Sequence, residues 1–175
     1  MWAPPPEHPV RRLFAGLTEH AFLSGLGITD PPLIDYLSGL LARFLHMDAV
    51  YRLHNEQGGR LEAVPDMIRE AEQLPAEGRT RREYHRHIGD FTLFWTGLYP
   101  ETVRRMQSGW SRDVFVSYTA QGKRSYYIAS TFEDDEAPIL RRLSDGFEMC
   151  AYGLNQVRRE FDALGSDGGE RRLIA

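Results

Sequence analysis

The sequence predicts an all-α fold, a single-domain bundle of about six helices. Apolar residues recur at three- and four-residue intervals along most of the chain, and Pro, Asp, Ser and Gly stand where helices would begin and end. Only residues 112–131 also alternate as a strand would. With 175 residues, 42% of them hydrophobic, the chain is long enough to bury one core without metal or disulfide help.

The proline-rich start, residues 1–9, reads as an extended arm, and the helical domain runs over 10–164. Val10, Leu13, Leu17 and Ala21 share one helical face until Gly25 and Gly27 end the first helix. In "TDPPLIDYLSGLLARFL", Thr29 or Asp30 can cap and Pro31 suits the first turn. Leu33, Leu37, Leu40, Leu41, Phe44 and Leu45 then form a broad stripe. "HNEQGGR" is a turn by composition, and Leu61, Val64, Ile68 and Ala71 give a shorter third helix with Pro65 in its first turn.

Thr80 followed by Glu83 has the spacing of a capping box, so the fourth helix is expected to start there and end at Gly97. "PETVRRMQ" reads as a short helical turn. For residues 112–131 one long helix capped by Ser111 is expected, with a hairpin turning at Gln121-Gly122 as the alternative. Ile139, Leu143, Phe147, Cys150, Leu154, Val157 and Phe161 define the longest and last helix, entered through Asp134, Asp135 and Glu136 and ending at Leu164. Residues 165–175 read as a flexible tail.

Net charge is −4 and the arginines are scattered in pairs, so no nucleic-acid surface is expected. Cys150 is the single cysteine, which excludes an internal disulfide and a thiolate zinc cluster. With no export signal or apolar run of membrane-spanning length, a cytoplasmic location is expected.

Chemistry concentrates in "REYHRHIGDFTLFWTG". On a helical wheel His87 falls on the face of Phe91 and Phe94, while Glu83 and Asp90 lie one turn away at its rim. A carboxylate there could fix the tautomer of His87 and prepare it as a base or metal ligand. The plainer reading, preferred on the sequence, is that an inward histidine needs partners and its helix supplies them. His85 is placed on the far face. A metal site would need Glu83, His87 or Asp90 with a carboxylate from the last helix, yet no paired metal motif occurs, so neither metal nor cofactor is expected.

Cys150 lies in an apolar stripe, where a lone cysteine packs as a small hydrophobe. The second candidate is "QGKRSYY": Lys123 and Arg124 could hold an anionic ligand or acidic partner, with Tyr126 or Tyr127 as donor. No nucleophile elbow, phosphate loop or dinucleotide fingerprint is present.

"HRHIGDFTLFWTGLYPE", "GKRSYYIAS" and "FEMCAYGLNQVRREF", spanning about residues 80–163, resemble a family of bacterial helical proteins in which a Gly-Asp-x-x-Leu-Phe helix precedes a Tyr-rich helix and a long final one. Gly89, Asp90, Leu93, Phe94, Gly97, Gly122 and Tyr126 carry the likeness. The resemblance implies a mainly helical fold and no particular activity. The resulting expectation is a binding or protein-interaction module, acting as a homo-oligomer on a protein partner or small ligand. The alternative is a metal- or ligand-dependent enzyme using His87 with Glu83 and Asp90.

Overall fold

The computed structural model describes residues 5–109 and 112–173, with side chains described for these except 114, 115 and 167–173. Among them are nine α-helices and no strand; one isolated antiparallel bridge joins His54 to Arg60. The expected all-α domain is therefore present, more finely divided than six helices. No described helix is long and apolar enough to cross a membrane.

Helix α1 (Pro9–Glu19) starts on His8, whose Nδ1 accepts from the Val10 amide at 3.3 Å, with Pro9 in the tolerated first position. It passes into a π-helical turn, His20–Gly25, that drives Phe22 into the core. There Phe22 fills the space beside Gly153, where a Cβ would lie 2.3 Å from the ring. Of the two expected caps, Asp30 begins α2 (Pro31–Arg43), accepting from the Leu33 amide and also gripping Arg142 at 2.6 Å.

A short α3 (Met47–Val50), unforeseen in the sequence, follows. The "HNEQGGR" turn closes through Asn55 Oδ1, which accepts from Gln57 and Gly59, with Gly58 at φ 81°. Helix α4 (Val64–Gln73) carries Pro65 in its first turn.

Helix α5 (Arg79–Leu98) is buried along most of its length and packs chiefly on α7 (Tyr118–Ser130) and α9 (Phe147–Leu173). Its N-cap is Gly78, and Thr80 lies inside the helix without capping. The Thr80–Glu83 capping box is thus not formed: the Glu83 carboxylate is drawn instead to Arg82, Arg52 and Arg86. Helix α6 (Pro100–Ser108) occupies the expected helical turn.

Over residues 112–131 the structure shows neither the hairpin nor one long helix. A 3-10 turn, Arg112–Phe115, precedes α7, and Ser117 is the cap, accepting from the Ala120 amide at 3.2 Å. Ser111, the expected cap, lies outside the described residues. The interruption turns Asp113 inward, where it accepts from the Val64 amide at 2.9 Å and from Tyr118 Oη at 3.0 Å.

The expected last helix is likewise two, α8 (Ala137–Asp145) and α9, broken at Gly146 so that Phe147 enters the core against Gly122. Helix α9 continues through Leu173, beyond the point where a tail was expected. The centre is formed by α5, α7 and the last helix, while α1 and α2 pack together and close the bundle.

Candidate functional site

His87 faces inward, as its wheel position requires, and is 1% exposed. Its partners are not the acidic neighbours on its own helix. Nε2 donates to the Val50 carbonyl at 2.9 Å, and Nδ1 accepts from Arg52 Nε at 3.1 Å. These partners fix a neutral ring with both nitrogens used. Phe44 and Phe91 flank it, with ring centroids at 5.7 and 6.3 Å. Burial, reinforced by Arg52, pushes its pKa down to about 4. A ring with no free lone pair, hard to protonate, is a poor general base and a poor metal ligand.

Asp90 is 4% exposed and is the more elaborate centre. One oxygen accepts from Tyr36 Oη at 2.6 Å and from Tyr126 Oη at 2.8 Å; the other accepts from Arg43 at 3.2 Å. Burial alone would raise this carboxyl, but Arg43, Arg86 and the two hydroxyls outweigh it and hold the group below the usual carboxylate range. Burial and the adjacent carboxylate raise both tyrosines above their ordinary pKa. Gly89 makes this approach possible, since a Cβ there would lie 2.6 Å from the Tyr126 ring. The result ties α2, α5 and α7 at one point.

Glu83 stays near the surface among Arg82, Arg52 and Arg86. Arg82 reaches on to Asp134 and Glu136, and Arg86 also holds Glu136, at 3.1 Å. Arg52 thus links Glu83 to His87, whereas Asp90 is bonded separately, to Tyr36, Tyr126 and Arg43. No group of three His, Cys, Asp or Glu among the described residues could hold a metal ion.

His85, assigned to the far face by the wheel, is also buried, lying 3.5 Å from Ser125 Oγ. Helix α7 covers the side the wheel left to solvent. Burial and the nearby Arg81 and Arg124 push its pKa down to about 4.

The "QGKRSYY" residues do not converge. Lys123 pairs with Glu148 at 2.8 Å, Arg124 is exposed, Tyr126 is in the core, and Tyr127 lies under Arg141 at 4.5 Å. Cys150 is buried, and burial pushes its thiol up to about 12, as expected for a packing residue.

What the sequence did not disclose is a cavity of about 610 Å³ between the C-terminal ends of α2 and α5 and the middles of α1 and α9. Leu41, Phe44, Phe94 and Val157 form its buried floor. Leu45, Met47, Tyr99 and Phe161 stand half-exposed around it. Aromatic contacts brace the wall: Phe44 on Phe94 at 5.1 Å, Phe94 on Trp95 at 5.5 Å and Phe14 on Phe161 at 6.0 Å. The polar edge is Arg158, which lies over Tyr99 and donates to Glu101 and, at longer range, to Asp162. The only sequence hint was the last helical stripe, which continues to Phe161 and Leu164 without a break.

Comparison with family models, with curated proteins and with solved structures finds no match for this chain.

Proposed function

We propose that this is a binding protein whose contact region is the apolar cavity between α1, α2, α5 and α9, and that His87 and Asp90 serve the architecture. One contrast carries the reading. The polar atoms of His87 and Asp90 are consumed by bonds within the protein, whereas half-exposed Leu45, Met47, Tyr99 and Phe161 ring an open hollow. Binding sites are concave, mainly apolar, of roughly 300–1,000 Å³, with few polar groups at the edge, and this hollow has that character.

The test is titration of dilute protein with an anilinonaphthalene dye that brightens in apolar surroundings. Saturable binding of about one dye per chain is expected. Leu45→Glu, which sets a charge at the rim, should weaken it about tenfold or more. His87→Gln should leave it unchanged in the folded protein. Absence of saturable binding, or binding sensitive to His87→Gln and indifferent to Leu45→Glu, would overturn the proposal.

A further inference from the structure

We infer that the partner covering this cavity is a second copy of the same chain, which contributes Leu164 of its own α9. The inference rests on the preceding reading that the cavity is a contact surface, and it names the occupant.

The first observation is the course of α9. Leu154 and Val157 are closed within the bundle at 0% and 1% exposure, while the next residues on the same stripe, Phe161 and Leu164, are 46% and 58% exposed. The apolar face thus runs past the end of the body: Phe14 stacks on one side of Phe161, yet Phe161 and Leu164 both stay about half exposed. An apolar helix face is normally buried against another element.

The second is shape. Phe161 belongs to the cavity wall, and Leu164 lies about one turn farther along the same helix. A hollow and an adjoining projection therefore share one face. A two-fold interface makes that demand, since each copy must offer both what inserts and what receives.

The third is area. Leu45, Met47, Tyr99, Phe161 and Leu164, each about half exposed, present on the order of 400 Å² of apolar surface. A standard interface takes roughly 800 Å² per partner, a little over half of it apolar. The patch has the extent of such an interface's apolar part, centred on aromatic residues of the kind that anchor interfaces.

Charge raises no obstacle to an identical copy. Identical faces bring like charges together, which is costly where one sign dominates. Here Arg158 donates to Glu101 at 2.7 Å and lies 3.5 Å from Asp162, so the rim mixes both signs in pairs.

Sedimentation velocity of the full chain across a range of concentrations tests this, with the dye titration run in parallel. The expected result is a dimer at micromolar concentration that excludes dye as it forms. Leu164→Glu and Met47→Glu should each weaken association about a hundredfold or more, by setting a charge in an apolar contact, and Leu164→Glu, which leaves the cavity lining intact, should also restore dye binding. Both positions are more than half exposed, so the fold, checked by circular dichroism, should survive. A monomer at every concentration that still binds dye would overturn the second copy as partner and leave the contact surface standing. A dimer that persists in both variants would also overturn it. A monomer that binds no dye would remove both proposals.

Discussion

At the scale of single residues, Asp90 separates a structural carboxylate from a reactive one. Its oxygens are shared among two tyrosines and an arginine drawn from two other helices, so removing it strands two buried hydroxyls and a part-buried guanidinium together. Breaking a buried pair of this kind costs about 3–5 kcal/mol. Asp90→Ala should therefore lower the urea unfolding free energy by that order, while Glu83→Gln, a third exposed and leaving Arg82 its pairs with Asp134 and Glu136, should stay within about 1 kcal/mol of wild type. Equal and small effects would refute the distinction. That His87 and Asp90 turn inward was legible from helical spacing. Their partners were not: Tyr36 and Arg52 lie 54 and 35 positions away, and no local pattern encodes which distant donor a buried acceptor will meet.

Helix against helix, contact here depends on missing side chains. Gly122 of α7 faces α5 and the start of α9: a Cβ there would meet the Phe147 ring at 2.3 Å and Thr92 Oγ1 at 2.5 Å. Gly16 on α1 has open space at the same position. Gly122→Ala should lower the melting temperature, overpacking costing about 1–3 kcal/mol. Gly16→Ala should raise it, because alanine gains up to about 1 kcal/mol over glycine inside a helix. A melting temperature that Gly122→Ala left unchanged or raised would refute close packing there. Periodicity made α1, α2, α5 and the last stripe readable, but it could not locate their interruptions. The apolar phase continues across Gly146, and Val114 and Tyr118 keep helical spacing across the break before Ser117, so two segments look like one.

For the molecule as a whole, acid is the weak point. His85 and His87 have folded pKa values of about 4 against about 6.5 unfolded, so their stabilising effect is complete above pH 6.5 and is lost as pH falls towards 4. Each shift corresponds to on the order of 3 kcal/mol. Asp90, with its carboxyl lowered, holds its contribution until pH falls below the ordinary carboxylate value. Asp113, raised by burial, acts in the opposite sense, favouring the folded state in acid and losing that as pH rises through its folded pKa. Urea midpoints should decline between pH 6.5 and 4, with uptake of about two protons on unfolding, and His85→Gln with His87→Gln should flatten the decline. A level wild-type profile would show that these rings are not held neutral. The cavity belongs to this scale too, which is why the sequence concealed it: the ends of α2 and α5 meet the middles of α1 and α9 there, and none carries a motif of its own.

The inward Asp113 carries one consequence for how the chain assembles. The leading amide of α4 finds its acceptor 49 positions downstream, so that helix cannot be completed by local interactions as it is synthesised. Everything between Val64 and Asp113, including the whole of α5, has to be made before the knot closes. Late docking of α4 onto a core already formed by its successors is the folding order this connection favours.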